Sequence, residues 1–515
     1  MADTERILPE TASKPQPKKK KKTAKRKLYD LHTWLGFHLA LIMSLVLFTG
    51  TVATISDEID WMFQHDMRVT PDGDKVSWGD IETAVRAYAP NDMLTLLATG
   101  EGDHFAYRAS MLRPNGQRYF IHVDQWTGEV TGTTHSLTVQ RFFRDLHRYL
   151  FMPSFPGIII VCSLAFVLAV SLYTGLKTTG KIRTVATRLR RDKGTRIMIG
   201  DFHKAVGVWS VWFFVVIIAT GIWYLAEFGA AVGGTSFEPS RPGVTEERVV
   251  EYGDVMRVIP ADEIIARTKE AFPELEPKMI FYPRLPQHAI SVWGRAGDVL
   301  VRSRANRVFL DAVDGSVIKV QKSGEIGWVA YLNEIADPLH FGSFGLLPTK
   351  LIWFVFGLAM TALSLTGVWL TYRRLKKVMV SKSQFATMPV LLVTMILGSM
   401  YIDRYIGADE PGSLIELQSD HVGGFLLESS WQIGEETGNH FIQLNISHPD
   451  GRPMVTSARL VDPQGGTEDL RFRTFDNTTI LRASLAGGRL KQGDTISLNV
   501  ELATGKQLAQ VLRYP

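Results

Sequence analysis

At 515 residues the chain is too long for one compact domain, and its mean hydropathy of +0.03 averages very apolar stretches with very polar ones. With 57 Lys and Arg against 52 Asp and Glu the net charge is only +5, and the basic excess sits in short runs beside apolar segments, which argues against a nucleic-acid partner. The single cysteine, Cys162, excludes an intrachain disulfide and the paired-cysteine motif that attaches haem covalently.

Uncharged runs of about 17–25 residues suffice to cross a hydrocarbon core of roughly 30 Å. In chain order, 1–28 reads as a basic N-terminus and 29–56 as a first span, with its apolar run at Leu35–Ile55. That run is too long for a signal peptide and lacks a small-residue cleavage site, so it reads as an uncleaved anchor. Residues 57–146 read as a small α+β domain, 147–177 as a second span around Ile158–Leu176, and 178–202 as a basic loop. The pattern then returns: a third span at 203–227 around Val206–Ala226, a second α+β domain at 228–340, and a fourth span at 341–373 around Leu346–Tyr372. A loop at 374–386 leads to 387–402, where Met388–Ile402 is either a minimal fifth span or a re-entrant segment. The tail, 403–515, carries short alternating runs such as Phe441–Ile446 and Thr495–Leu502 and reads as an all-β domain, a small sandwich.

The basic runs Lys18–Lys27, Lys177–Lys204 and Arg373–Lys382 fall on one side of this arrangement. Short basic loops stay in the cytoplasm, so the α+β domains and the tail are expected on the outer side of a bacterial inner membrane.

The second half echoes the first. Asp30-Leu31-His32 aligns without a gap with Asp201-Phe202-His203, Gly36 with Gly207, and Thr49-Gly50 with Thr220-Gly221. Leu146-His147 matches Leu339-His340, and Thr174-Gly175 matches Thr366-Gly367, with a one-residue slip. The stretches from Val123 to Val130 and from Leu310 to Val317 each read as strand, tight turn with Gly, strand; Trp78–Ala89 and Ala261–Ala271 have helical spacing. The chain is expected to be a duplication of span, outer domain, span, with its functional site at the repeat interface.

Ionisable residues at membrane depth are candidates for function. His32 and His203 enter from the basic face, and His147 and His340 from the other, which gives one opposed imidazole pair per leaflet. Imidazole is a common axial ligand of haem iron, so the quartet is the candidate ligand set for two haems b. Gly36 and Gly207 lie one turn beyond their histidines and leave room for a flat macrocycle; Gly50 and Gly221 lie five turns on, about 27 Å further, where a second macrocycle could rest. His38 is a lower-ranked ligand candidate: it is rotated by about 240° from His32, and Trp209 stands at its counterpart position. Small residues that serve helix packing and interfacial histidines are the ordinary explanation of such features one at a time. Packing does not ask for His in all four copies.

The Asp-x-His-x-x-x-Gly entries of spans one and three, the Leu-His pairs before spans two and four, and the strand-turn-strand units with Asp124 and Asp311 together resemble the PepSY-associated transmembrane family of iron-regulated inner-membrane proteins. The resemblance covers roughly residues 28–377. It implies two PepSY domains in the periplasm, an inner haem on His32 and His203, an outer haem on His147 and His340, and an activity similar to that of ferric-siderophore (ferrioxamine) reductases. The expected partners are then membrane lipid, a ferric siderophore or other ferric chelate, and a separate electron donor, a quinol or a cytoplasmic reductase. No Gly-rich dinucleotide fingerprint follows a strand, so no nicotinamide or flavin domain is expected in the chain. The alternatives from other classes are a haem-free PepSY sensor or regulator of a periplasmic protease or peptide, and a transporter built on the repeat interface.

Overall fold

The computed structural model describes residues 23–113, 116–374, 393–394, 396–398, 400–401, 414–433, 440–485, 491 and 493–513. Most of the basic N-terminus, the 374–386 loop beyond residue 374 and most of the 387–402 segment lie outside the described residues.

Thr23 caps α1 (Ala24–His38), whose sequence is polar, and α2 (Ala40–Thr54) follows after one non-helical residue, Leu39 at φ −103° and ψ 3°. The two helices meet at a 68° bend, so the first span expected at 29–56 is a broken pair instead of one straight helix. After Ile55 the chain continues as α3 (Ser56–Phe63) and then builds α4 (Trp78–Tyr88) and four strands, β1 (Met93–Ala98), β2 (Tyr107–Leu112), β3 (Arg118–Val123) and β4 (Val130–His135). Next come α5 (Val139–Tyr149) and α6 (Ser154–Thr178), a 25-residue helix with Pro156 in its first turn and apolar residues all round.

The second half runs in the same order. α7 (Ile182–Thr187) precedes α8 (Thr195–Trp209) and α9 (Val211–Val232), which are interrupted at Ser210, the position that aligns with Leu39. Then follow α10 (Glu246–Glu251), β5 (Val255–Met256), α11 (Ala261–Ala271), β6 (Glu276–Phe281), β7 (Ile290–Arg295), β8 (Asn306–Leu310), β9 (Val317–Gln321), α12 (Trp328–Phe341) and α13 (Leu346–Arg374). Among the described residues three helices, α6, α9 and α13, are long and apolar enough to cross a membrane, and the α1–α2 pair makes a fourth if it counts as one span.

His147 and His340 do not begin the second and fourth spans. They ride on separate helices, α5 and α12, that lie against α2 and α9 and then turn back sharply. Leu150 and Phe151 make the first turn with φ of 52° and 56°; Gly342 makes the second at φ 71°, where a Cβ would meet Trp353 Cγ at 2.6 Å.

The two α+β segments are not independent. β1 pairs antiparallel with β6 through Leu97↔Ile280, giving one eight-stranded sheet in the order β4-β3-β2-β1-β6-β7-β8-β9. One face carries α4 and α11 over a shared core that includes Ile81, Val85, Ile121, Ile264, Val292 and Val308. Because side chains alternate along a strand, Phe120 and His122 on β3, and Arg307 and Phe309 on β8, point to the other face. Both strand-turn-strand units close through an aspartate that accepts from the backbone two residues on, Asp124 from Trp126 and Asp311 from Val313, each at 2.8 Å.

The tail is all-β. β10 (Leu414–Val422), β11 (Phe425–Ile433), β12 (His440–Ser447), β17 (Thr478–Leu485) and β16 (Arg471–Thr474) form one sheet; β15 (Thr467–Asp469), β14 (Val455–Val461), β18 (Thr495–Leu502) and β19 (Gln507–Arg513) form a second, and both contribute to one apolar core. The short strand β13 (Arg452–Pro453) pairs with β5, and the buried Arg452 reaches Pro283 O at 2.8 Å and Asp476 at 3.2 Å, which fastens the tail to the sheet.

His122 gives the sheet an acid sensitivity. It is 1% exposed, its Nε2 meets Thr134 Oγ1 at 2.8 Å, and burial followed by the charge of Arg108 lowers its pKa from the ordinary 6.5 to about 4. A base depressed in the folded state contributes stability above its unfolded pKa and loses it as pH falls. Stability of the sheet should therefore decline between pH 6.5 and 4, and His122→Phe, the residue β8 carries at the matching position, should flatten that decline. Chemical denaturation followed at pH 7 and pH 4.5 measures it; an unchanged slope in the variant contradicts the assignment.

Candidate functional site

Four helices bring the histidine quartet together as two pairs. His32 on α1 faces His203 on α8 with ring centroids 6.4 Å apart, and His147 on α5 faces His340 on α12 at 6.1 Å. Each pair joins one residue from each half of the chain.

Each imidazole is also fixed to a span of its own half. His32 Nδ1 meets Ser171 O at 3.0 Å and Thr174 Oγ1 at 3.2 Å on α6; His203 Nδ1 meets Thr366 Oγ1 at 2.9 Å on α13. His340 Nδ1 meets Thr220 Oγ1 at 2.8 Å on α9, and His147 Nδ1 meets Val46 O at 2.8 Å on α2. The threonine protons are already given to their own helices: Thr174 to Val170 O, Thr366 to Ala362 O and Thr220 to Val216 O. Their oxygens can only accept, so the network assigns the proton to Nδ1 and leaves the Nε2 lone pair of each ring free for a ligand.

The glycine after three of the four matched threonines admits a ring. A Cβ on Gly50 would meet His147 Cε1 at 2.6 Å, one on Gly175 would meet His32 Cε1 at 3.3 Å, and one on Gly367 would meet His203 Cε1 at 3.5 Å. Gly221 packs on Ala165 instead, at 3.0 Å. The five-turn argument for Gly50 and Gly221 does not survive the breaks at Leu39 and Ser210: Gly50 makes room for an imidazole of its own half. Thr-Gly stands at four matched places in the apolar helices, 49–50, 174–175, 220–221 and 366–367, and that recurrence was the available signal for the clip.

Two cavities contain these pairs. The first, of ≈ 520 Å³, is lined by His32 and His203 with Gly36 and Gly207 on its wall; the second, of ≈ 440 Å³, is lined by His147 and His340 with Gly50 and Gly221. Met43, Leu47, Leu168 and Met360 line both and form a thin apolar partition. Gly357 packs against Thr51 and Gly367 against His203; ten residues of α13 thus separate the two levels by roughly 15 Å, about half the hydrocarbon thickness. The first cavity also meets Arg190, Arg196 and Lys204, and the second Arg144, Arg148, Arg302 and Arg304.

The helices that carry the second pair are positioned by polar contacts. The buried carboxylate of Asp60 accepts from Val139 N at 2.7 Å and Gln140 N at 2.9 Å, holding the N-terminus of α5. Trp223 Nε1 donates to Asn333 at 3.0 Å and Tyr224 to Asp337 at 2.6 Å, which ties α12 to α9. His38 stands between the rings of Trp34 and Phe37 at 5.0 and 5.6 Å and lines neither cavity. Among the described residues no group of three or more His, Cys, Asp or Glu side chains is placed to hold a bare metal ion.

Broken and straight apolar helices, a broad antiparallel sheet at one end and paired half-buried imidazoles between them define a multi-pass helical membrane protein with a β-rich C-terminal region. The chain belongs to the family described as the PepSY-associated TM region, whose model matches residues 29–374. Comparison with curated proteins gives no match.

Gly50→Ala forces the His147 ring off its carbonyl and should lower stability by about 1–3 kcal/mol, the usual effect of overpacking. Gly36→Ala, with nothing within 4 Å of its new Cβ, should be neutral or gain up to ~1 kcal/mol from helix propensity. Thermal unfolding in detergent, followed by tryptophan fluorescence, separates the two; equal shifts contradict the clip.

Proposed function

We propose that the protein is a di-haem electron-transfer protein of the bacterial inner membrane that reduces a ferric chelate, of the ferric-siderophore class, on the periplasmic side. The observation that carries this reading is the paired imidazoles. Two rings bound to one iron, each through a nitrogen at about 2 Å, stand with centroids roughly 6 Å apart. Both pairs have that spacing, at 6.4 and 6.1 Å, and each ring keeps Nε2 free.

The surroundings fit a haem b. Cavities of 520 and 440 Å³ lie within the range of cofactor sites, roughly 300–1,000 Å³. Their walls are apolar at mid-bundle and carry arginines toward the ends, which suits a flat apolar ring with two carboxylates at one edge. His32 and His203 would hold one such group, and His147 and His340 the other. Each supplies an iron centre that carries one electron at a time.

The protein's own part is orientation and exclusion of water. The Nδ1 hydrogen bonds fix each ring and raise its basicity, Gly50, Gly175 and Gly367 let the rings seat against the spans, and the partition of Met43, Leu47, Leu168 and Met360 keeps the two sites close without opening a pore. The matched breaks at Leu39 and Ser210 and the symmetric strand order support a duplication, with PepSY domains forming the two halves of the sheet. The basic loops support an orientation with the first pair cytoplasmic and the sheet periplasmic. Electrons then come from a quinol or a cytoplasmic reductase.

The test uses purified protein in liposomes that enclose a reductant, with a ferric chelate and a chromogenic ferrous trap outside. The wild type should release ferrous iron, and His32→Ala, His203→Ala, His147→Ala and His340→Ala should each lower the rate at least tenfold. Rates equal to those of protein-free liposomes in the wild type, or undiminished rates in all four variants, refute the reading.

A further inference from the structure

The sheet face turned toward the bundle holds a cationic cluster that reaches the wall of the second cavity. Arg302, Arg304 and Arg307 follow one another through a 3-10 turn, Ser303–Ala305, into β8. Arg302 is fully engaged, with Nε on Glu334 at 2.8 Å, Nη1 on Asp337 and Nη2 on Asn333 O at 2.6 Å. Arg304 gives Nε to Glu334 at 3.0 Å and Nη1 to Glu238, but its buried Nη2 has no hydrogen-bond partner.

Arg307 is the anomaly. It is 0% exposed, its Nε goes to the Arg304 carbonyl, and both Nη1 and Nη2 are buried without a hydrogen-bond partner. Glu238 is the nearest carboxylate at 3.9 Å, and its oxygens also serve Arg304 and, at 3.4 Å, Arg241. Trp293, its neighbour on β7, covers one face of the guanidinium at 4.9 Å, and Gln321 is its neighbour on β9. Burial pulls its pKa below the ordinary range, to about 10. A buried guanidinium without a hydrogen-bonded counter-charge is strongly disfavoured. Arg304 and Arg307 share Glu238, so one carboxylate faces two guanidiniums, and Arg304 Nη2 is left as an unpartnered donor of the kind that holds a carboxylate. Arg302, Arg304 and Glu238 line the cavity that contains His147 and His340, whereas Arg307 is fully buried and is not on its wall, so Arg304 is the group a ligand can touch and Arg307 acts through its charge.

We infer that Arg304, with the unneutralised charge of Arg307 beside it, forms a carboxylate-binding site at the sheet side of the second cavity, so that the anionic group of a carboxylate-bearing ferric chelate is held near the His147–His340 pair. This deepens the reduction reading and rests on it for the word ferric; the carboxylate site itself does not need haem. A propionate of the cavity's own macrocycle presents the same chemistry, and the two sources are separable.

Citrate and gallium(III) citrate, which is redox-silent, serve as probes for calorimetry on the full-length protein in detergent, with an uncharged gallium hydroxamate complex as control. The wild type should bind both citrate probes saturably, and Arg307→Met and Arg304→Gln should each weaken them at least tenfold without changing the control. Arg304 lies on a turn and is partly exposed, so its variant keeps the test open if Arg307→Met fails to fold. A parallel titration with iron protoporphyrin and its dimethyl ester identifies the other source: weakened uptake of the free acid alone, with citrate unaffected, places the propionate on these arginines. Unchanged affinity of both variants for citrate and for protoporphyrin overturns the site. Failure of the haem reading would show separately, as a wild type that takes up no porphyrin while the citrate result stands.

Discussion

Everything the bundle can do depends on a hydrogen bond from an imidazole Nδ1 to an oxygen on a neighbouring apolar helix. Inside a hydrocarbon layer an unsatisfied N–H is costly, so a histidine there must find an acceptor, and the acceptor it finds sets the direction of its other nitrogen. Threonines at positions 174, 220 and 366 serve this role because their hydroxyl protons bond back to their own helix and leave a lone pair outward. The fourth copy differs: Thr49 bonds back to Leu45 O and Val46 O as the others bond to their own helices, but His147 takes the Val46 carbonyl instead of the threonine oxygen. With the rings held this way, the facing of His32 to His203 and of His147 to His340 follows from how the four helices pack.

The sheet does more than sit on the bundle. Its central β1–β6 pairing locks the two halves together at the same end at which α5 and α12 place the second pair, so displacement of one half relative to the other would have to break that ladder. Lys350 near the start of α13 adds a cross-link, buried against Glu58 at 3.1 Å and Glu101 at 3.4 Å, both from the first half. With Asp57 at 3.8 Å as a third carboxylate, the buried lysine resists separation because either partner left alone would be a bare charge in a poorly solvated layer. Among the described residues the first pair has no such cover and lies nearer the basic loops, where Arg190 holds Asp201, two residues before His203, at 2.8 Å.

Much of this was legible in the residues. The gap-free match of Asp30–Gly36 with Asp201–Gly207 foretold equivalent places for His32 and His203, and the Leu-His pairs did the same for His147 and His340, because repetition of a polar residue at the edge of an apolar run is a strong constraint. Helices at Trp78–Ala89 and Ala261–Ala271 and both strand-turn-strand units were readable from period and turn chemistry. Three features were not. The break at Leu39 has no Pro or Gly at the hinge itself, so hydropathy alone drew one span. The separateness of α5 from α6 depends on left-handed turns at Leu150 and Phe151, residues that give no turn signal, while that of α12 from α13 depends on Gly342. The joining of the two α+β units into one sheet is an edge-to-edge choice between strands far apart in sequence, and no local pattern encodes it. Arg304 and Arg307 escaped notice for the same reason: burial of an arginine is a tertiary fact.

The central claim is that each imidazole pair shares one iron. The haem content of protein purified from cells, determined as the pyridine haemochrome together with the low-temperature spin-resonance spectrum of the oxidised form, addresses it most directly. The account predicts two b-type haems per chain, both low-spin with two nitrogen ligands. One haem would be lost in a variant of either member of the first pair, and one in a variant of either member of the second. Protein that carries no haem when folded, or that keeps both haems after His32 and His147 are replaced together, contradicts it.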